Sequence, residues 1–260
     1  MESKPEYLGP VHAGRFQEAE VANAYHLRPS YPAETFDILA GLMRGQSRAL
    51  LDVGAGTGDI ARKMAPLVER VDAVDFSQAM MARGRQLPGG DHPHLNWIYG
   101  RAEEVPLAPP YGLVTAGQSL HWMDWEIVLP RFREALDREG FLAIVNVEIL
   151  ATPWNGELIK IIRRFSTIPH YKPLDLLKEL EERDLYERRG EQRTAPVSFS
   201  QSLEDYIESF HARSSLSRGG LGQENAAAFD RAVEHLVAPF TTSGQITLEV
   251  TGHVAWGSPH

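Results

Sequence analysis

Apolar positions alternate between two periods from residue 33 to residue 147. Short apolar runs, typical of strands buried on both faces, are separated by segments in which apolar residues recur every three or four positions, as in amphipathic helices. The predicted strands are Ala49–Val53, Val71–Val74, Leu95–Tyr99, Leu113–Ala116 and Phe141–Val147. This alternation predicts an α/β fold with a doubly wound, mostly parallel sheet and helices on both faces.

The second half of the chain has a different pattern. It predicts helices over 154–166, 174–185, 203–212 and 225–237, an extended segment over 192–199, a loop over 219–222 and a strand over 245–256. Helical inserts therefore interrupt the last strands of the sheet. We expect an N-terminal cap (1–32), an α/β core (33–150), a helical lobe interleaved with a late strand (151–240) and a final strand that returns to the sheet (241–260).

Composition and charge exclude several partners. The net charge is −9 and the chain has no cysteine, which removes disulfides, thiolate zinc sites and a cysteine nucleophile. The densest basic stretch, 183–193, is interleaved with acidic residues and predicts a solvated helix end, not a nucleic-acid footprint. Met1–His12 lacks a secretory apolar segment, and the longest apolar run is too short for a membrane span. We therefore expect a cytoplasmic protein that binds neither nucleic acid nor a membrane.

Three glycines follow the first predicted strand at every second position: Gly54, Gly56 and Gly58. Glycine permits positive φ and a close approach of backbone to ligand, and the next helix offers free N–H groups. Asp59 stands where the dinucleotide fingerprint needs its third glycine. Asp75 ends the second strand, where a carboxylate can accept hydrogen bonds from two ribose hydroxyls. The alternative for Asp75 is a helix N-cap.

Four motifs resemble those of class I S-adenosylmethionine (SAM)-dependent methyltransferases. Asp52 with the glycine loop is similar to motif I, Val74–Met81 to motif II, Gly100–Pro106 to motif III and Gln118–Trp122 to motif IV. The resemblance covers residues 16–147. It departs from the family at Arg101, where Asp is frequent, and at Tyr111-Gly112, where Phe-Asp is usual.

Within the family, the small-molecule group that includes trans-aconitate methyltransferase is the most similar. Two segments carry this likeness: Tyr25–Pro32, before the first core helix, and Leu120-His121-Trp122, followed by Asp124. The resemblance implies a seven-stranded Rossmann-like sheet, SAM as cofactor with S-adenosylhomocysteine as product, and an N-terminal segment that folds over the cofactor. The implied cofactor-binding residues are Tyr25, Arg28, Tyr31, Asp52, Gly54, Ala55, Gly56, Gly58, Asp75, Phe76, Ser77, Met80, Ala102, Glu103, Gln118 and Ser119.

Methyl transfer from a sulfonium needs alignment of the reacting atoms in a pocket without water. His121 is the candidate general base, or a residue that orients the acceptor, and Trp122 offers an aromatic face to the cation. We expect transfer to an oxygen or nitrogen of a small molecule, such as a carboxylate or a natural-product hydroxyl. His92 and His94 are too few ligands for a metal, so none is expected. The protein is expected to be a monomer or homodimer.

The acceptor pocket is expected in the helical lobe, which contains no readable motif. Its candidate lining residues are His170, Tyr171, His211 and Arg213. Two other functions remain open. One is an NAD-dependent oxidoreductase, since Asp75 suits either cofactor. The other is a SAM-binding protein without catalysis, which the departures at Arg101 and Gly112 keep open.

Overall fold

The computed structural model describes residues 8, 12, 14–45, 47–168 and 174–260. The strands are β1 (Ala49–Val53), β2 (Arg70–Asp75), β3 (Leu95–Tyr99), β4 (Tyr111–Gly117), β5 (Leu136–Ile149), β6 (Tyr186–Arg193), β7 (Val197–Ser202) and β8 (Gln245–Pro259). The α-helices are α1 (Ala19–Tyr25), α2 (Ala33–Leu42), α3 (Asp59–Met64), α4 (Gln78–Gln86), α5 (Trp125–Ala135), α6 (Asn155–Phe165), α7 (Leu176–Glu182), α8 (Leu203–Ser209), α9 (Arg218–Leu221) and α10 (Gln223–Val237).

The chain forms two compact units. The sheet unit comprises 31–148, 173–195 and 251–260, and the helical unit comprises 1–30, 149–172 and 196–250. Within the described ranges, each helix is too short or too polar to span a bilayer. The four-segment division expected from the sequence remains a prediction.

The sheet unit contains the seven-stranded path β3-β2-β1-β4-β5-β8-β6. The pairs β1–β2, β1–β4, β2–β3 and β4–β5 are parallel, and β6–β8 is antiparallel. The α/β fold with a mostly parallel sheet is thus confirmed. Because Val53 pairs with Val74 and Asp75 pairs with Tyr99, the carboxyl ends of β1, β2 and β3 lie at one edge, where α/β folds bind ligands.

Two apolar layers cover the two faces of this sheet. One face packs against α5, through buried Val128, Leu129 and Phe132. The other packs against α2 and α3, through Leu39 and Met64 among others. The buried stripe of each helix follows the three- and four-residue spacing found in the sequence. The helices therefore close both faces and leave the carboxyl edge of the sheet for chemistry.

Two predictions of local structure are wrong. The basic stretch 183–193 is β6 for most of its length and not a helix end, because its backbone pairs with β8 while its charged side chains stay largely exposed. The predicted loop 219–222 is largely α9 (Arg218–Leu221), whose first turn is capped by the Ser217 hydroxyl accepting from the Gly220 N–H at 3.2 Å.

The helical unit is built around a buried aromatic cluster. Phe229 of α10 contacts Phe165, Phe210 and the imidazole of His211 with ring centroids 5.6–5.7 Å apart. His211 is 2% exposed, and its two ring nitrogens lie 2.7 Å from the Leu216 carbonyl and 2.7 Å from an Asp230 carboxylate oxygen. In this unit β7 pairs antiparallel with the first part of β8.

The departure from the family at Tyr111-Gly112 has a packing explanation. Tyr111 is fully buried, and its hydroxyl donates to the Asp72 carboxylate at 2.7 Å and accepts from the Ala108 N–H at 3.0 Å. A Cβ at Gly112 would lie 2.2 Å from the Ser47 carbonyl oxygen. An aspartate at position 112 would therefore clash with backbone. Both residues fit the amino end of β4, far from the carboxyl edge.

We expect Tyr111→Phe to lower the free energy of unfolding by about 2 kcal/mol, because the buried Asp72 carboxylate loses a donor. Urea denaturation would measure this difference. Tyr99→Phe is the matched control, since Tyr99 is 58% exposed, and it should change the unfolding free energy by less than about 0.5 kcal/mol. Equal effects of the two substitutions would contradict the role of the Tyr111 hydroxyl.

Candidate functional site

The glycine loop is a tight turn at the carboxyl end of β1. Gly54, Gly56 and Gly58 have φ values of +62°, +58° and +74°, which side chains rarely adopt. The turn is held by the Ala55 N–H, which donates to the Val74 carbonyl at 3.0 Å, and by the Gly58 N–H, which donates to the Ala55 carbonyl at 2.8 Å. Gly58 is then the N-cap of α3.

The three glycines have different surroundings. A Cβ at Gly54 would lie 2.5 Å from the Ser119 Cβ, and a Cβ at Gly58 would lie 2.5 Å from the Trp97 ring. A Cβ at Gly56 would meet nothing within 4 Å. Gly54 and Gly58 are therefore required by packing inside the protein. Gly56 faces open space, where a ligand can approach the backbone closely.

Asp75 lies directly beside this loop and is 6% exposed. Its Oδ2 accepts from the Gly56 N–H at 2.7 Å, and its Oδ1 accepts from the Ser77 N–H at 2.7 Å. Burial raises the pKa of Asp75 to about 6, against these two hydrogen bonds, which lower it. Ser77 is the N-cap of α4, accepting from the Met80 N–H at 3.2 Å. The N-cap alternative considered for Asp75 thus applies to Ser77.

Asp52 lies beneath the loop and is 2% exposed. One carboxylate oxygen accepts from the Ala61 N–H of α3 at 3.2 Å, and the other from the Thr115 hydroxyl at 2.8 Å. Asp52 therefore satisfies a free N–H in the first turn of α3, which Gly58 cannot do without a side chain. Burial raises the pKa of Asp52 to about 7. Thr115 could not be identified from the sequence, because it stands inside an apolar strand.

The segment after β3 returns to the same edge. The Gly100 N–H donates to the Asp75 carbonyl at 3.0 Å, and Ala102 is buried. The side chain of Glu103 is 8% exposed, and its Oε1 lies 3.2 Å from Arg101 Nη2. The same oxygen accepts from the Asp124 N–H at 2.9 Å. Glu103 is thus already bonded to protein groups, and Arg101 is its ion-pair partner.

The segment after β4 carries the candidate catalytic side chains. Ser119 is buried, and its hydroxyl donates to the Val53 carbonyl at 2.6 Å. Gln118 has a positive φ of 53°, which turns the chain out of the strand. The rings of His121 and Trp122 follow, partly buried and 5.0 Å apart. The sheet unit therefore brings His121, Ser119 and the glycine loop to one edge.

The other predicted cofactor-binding residues differ in position. Phe76 is partly buried and Met80 is 2% exposed. Tyr31 belongs to the sheet unit: a Cβ at Gly117 would lie 2.8 Å from its hydroxyl oxygen, so this hydroxyl lies against the carboxyl end of β4. Tyr25 and Arg28 belong to the helical unit, where the Arg28 guanidinium lies 5.0 Å above the Tyr25 ring.

Of the four candidate residues for the acceptor pocket, the structure describes His211 and Arg213. His211 is wrong as a pocket-lining residue, because it is buried and both of its ring nitrogens are bonded. His170 and Tyr171 lie outside the described residues. The Arg213 guanidinium lies 4.9 Å above the Phe210 ring.

In the parts of the chain that the structure describes, no three acidic, histidine or cysteine side chains form a metal-binding group.

Comparison with known proteins agrees with this geometry. Residues 50–140 match the sequence profile of a family described as "Methyltransferase domain". An uncharacterised methyltransferase from Mycobacterium bovis is 33% identical over 139 residues, which are 53% of this chain and 54% of that protein. A ubiquinone/menaquinone biosynthesis C-methyltransferase from Rubrivivax gelatinosus is 44% identical over 59 residues, 23% of this chain and 22% of that protein. The first alignment thus spans about half the length of the curated relative.

A solved structure from Anaeromyxobacter dehalogenans, provisionally assigned as a type II methyltransferase, has the same fold. It superposes with a TM-score of 0.63 at 21% identity, covering 90% of this chain and 99% of that one. The sheet order, the glycine loop, the matched profile and the methyltransferase relatives are in agreement. Residues 50–140 therefore match a methyltransferase domain, and the chain has the Rossmann-like fold of the superposed methyltransferase structure.

Proposed function

We propose that this protein transfers a methyl group from SAM to an oxygen or nitrogen atom of a small molecule. The observation that carries the proposal is the cradle formed by Gly56 and Asp75. Gly56 exposes its backbone to open space, and Asp75 lies beside it with a carboxylate at the end of β2. Each carboxylate oxygen can accept more than one hydrogen bond, so ribose hydroxyls can join the two backbone donors.

The proposed roles divide most of the predicted cofactor-binding residues into two groups. Gly56, Asp75, Phe76 and Ala102 would contact the cofactor, since they line the carboxyl edge of the sheet. Asp52, Ser77, Met80 and Ser119 are buried and bonded to neighbouring backbone or packed in the core, so we assign them to shaping the loops. Gly54 and Gly58 act in the same way, by accommodating Ser119 and Trp97.

His121 is the residue that we propose for the acceptor side. Its imidazole lies in the turn that follows β4, next to Trp122. An imidazole removes a proton from a hydroxyl or ammonium acceptor, whereas a carboxylate acceptor needs only to be oriented. The Trp122 ring beside it would exclude water and face the sulfonium.

The net charge supports a small-molecule acceptor, whereas the names of two relatives point to different acceptors. The net charge of −9 disfavours a polyanion. One relative is a malonyl-[acyl-carrier protein] O-methyltransferase from Halalkalibacterium halodurans. It is 31% identical over an alignment of 87 residues, which covers 31% of this chain and 32% of that protein. The Rubrivivax relative is a C-methyltransferase, so the acceptor atom rests on the site and not on the names.

Isothermal titration calorimetry with S-adenosylhomocysteine, SAM and NADH tests the cofactor. We expect the first two to bind and NADH not to bind, because Asp59 replaces the third glycine of the dinucleotide fingerprint. We expect Asp75→Asn to weaken S-adenosylhomocysteine binding by about tenfold, since an amide accepts hydrogen bonds less strongly than a carboxylate. Asp91→Asn, at an exposed position, is the matched control.

Methyl transfer to a panel of carboxylic acids, hydroxyls and amines then tests catalysis. Transfer to a carboxylic acid or hydroxyl would support the proposed reaction. Binding of S-adenosylhomocysteine without transfer to any acceptor would favour the non-catalytic alternative. Binding of NADH alone would overturn the proposal.

A further inference from the structure

The segment that carries His121 and Trp122 has little regular structure of its own. Between the end of β4 and the start of α5 it contains only a three-residue 3-10 turn, Leu120–Trp122. The directions of the two rings therefore depend on the bonds that attach this segment to the rest of the sheet unit. Side chains must be placed within a fraction of an ångström for a displacement reaction.

Hydrogen bonds from Gln118 and Ser119, including one from Gln118 Nε2 to the Val147 carbonyl at 3.4 Å, attach the beginning of this segment. The Gln118 N–H donates to the Val145 carbonyl of β5 at 3.0 Å. The Ser119 hydroxyl donates to the Val53 carbonyl at the end of β1 at 2.6 Å. The start of the segment is therefore tied to both strands that flank β4.

The end of the segment is attached by Glu103. Asp124 is the N-cap of α5, but its own side chain makes no capping hydrogen bond. Its backbone N–H, one of the free donors at a helix start, donates to Glu103 Oε1 at 2.9 Å. A carboxylate beside a helix N-terminus is also favoured by the helix dipole.

Glu103 is itself held from the cofactor side. The segment 100–105 begins at the Gly100 N–H bond to the Asp75 carbonyl, and it turns through a bond from the Val105 N–H to the Arg101 carbonyl. The Arg101 guanidinium lies 3.2 Å from the same Glu103 oxygen that receives the Asp124 N–H. This side chain of Glu103 is 8% exposed, whereas that of Arg101 is 52% exposed.

We propose that Glu103, supported by Arg101, is a positioning residue that connects the cofactor-side segment after β3 to the turn carrying His121 and Trp122. This inference rests on the proposed methyltransferase function, and it replaces the expectation from the sequence that Glu103 contacts the cofactor. It also explains Arg101, a departure from the family pattern, because an arginine can form an ion pair with Glu103 and an aspartate would repel it.

Amide hydrogen exchange of residues 119–124, followed by mass spectrometry, tests the connection in the full chain. In Glu103→Ala we expect exchange in this segment to rise about tenfold, because the Asp124 N–H loses its acceptor. Glu103→Gln should restore exchange to within about threefold of the original protein, since its amide oxygen accepts the same bond. Exchange in the glycine loop, residues 54–58, should not change.

Affinity for S-adenosylhomocysteine, measured by calorimetry, separates positioning from cofactor contact. We expect the dissociation constant of Glu103→Ala to stay within about threefold of the original protein. The control Asp91→Ala, at an exposed position, should change neither quantity. Arg101→Ala, which removes only the support, should raise exchange by about threefold and provides a test if Glu103→Ala fails to fold.

Two results would overturn the inference. One is a tenfold loss of affinity in Glu103→Ala with unchanged exchange in 119–124, which would mean that Glu103 contacts the cofactor. The other is unchanged exchange and unchanged affinity. If the original protein does not bind S-adenosylhomocysteine, the proposed function fails, while the exchange comparison still decides the role of Glu103.

Discussion

Replacing Gly54 by alanine should abolish S-adenosylhomocysteine binding and lower the free energy of unfolding by about 3 kcal/mol. Two costs combine at this position. Its φ of +62° is unfavourable for any residue with a Cβ, and that Cβ would lie 2.5 Å from the Ser119 Cβ. Ser119 cannot move away freely, because its hydroxyl is bonded to the Val53 carbonyl. Chemical denaturation and calorimetry measure the two effects.

Gly56→Ala is the matched comparison, since its φ of +58° is almost the same and no atom lies within 4 Å of the added Cβ. We expect its unfolding free energy to fall by only about 1 kcal/mol. Its affinity for S-adenosylhomocysteine should still fall about tenfold, because the methyl group would occupy the open side of the loop. Equal stability losses in the two variants would contradict the packing role of Gly54.

The free energy of unfolding should fall between pH 5 and pH 8 by roughly 3 kcal/mol less in Asp52→Asn than in the original protein. Burial raises the pKa of Asp52 from its ordinary 3.8 to about 7, so in this range the folded chain binds a proton that the unfolded chain has lost. Stability from this group is therefore greatest below about pH 4 and is lost as pH rises towards 7. Asparagine cannot ionise, but it can still accept from the Ala61 N–H and donate to the Thr115 hydroxyl.

Unfolding free energies of the original protein and Asp52→Asn, measured at each pH, give this difference directly. Asp75, with a pKa raised to about 6, contributes a slope of the same sign to both proteins and is largely removed by the subtraction. Asp91→Asn, at an exposed carboxylate, should follow the original protein. A pH-independent difference would show that Asp52 is ionised throughout the range.

The strands could be predicted where a short apolar run is bounded by turn residues. β1 and β3 have the bounds expected from the sequence, since β1 is a fully buried run followed by glycine and β3 is bounded by turn residues. β5 is longer than predicted, because Leu136 already pairs with Tyr111 of β4, ahead of a register shift after which Phe141 pairs with Leu113. β6 is an extreme case: its charged residues form a strand only because β8, about 60 residues later, supplies the backbone partners.

Prediction of the candidate site was limited in the same way, because contacts between residues distant in the sequence leave no local pattern. The glycine loop and Asp75 could be found from spacing, because their chemistry depends on adjacent residues and on strand ends. The bond from the Asp124 N–H to Glu103 could not be found, since a backbone donor has no signature in the sequence. Thr115 was hidden for a related reason, as a single hydroxyl in an apolar strand gives no periodic signal.

The three-part origin of the sheet unit limits how the chain can be divided. Residues 31–148 contain β1 to β5 almost entire, but β8 and β6, which complete the sheet beside β5, come from 173–195 and 251–260. A chain ending at Glu148 would leave the long β5 as a bare edge strand, with unpaired backbone groups that template aggregation. Residues 31–148 are therefore not a separable module, because residues 251–260 supply a strand to a sheet whose first strand, β1, begins at Ala49, more than two hundred positions earlier.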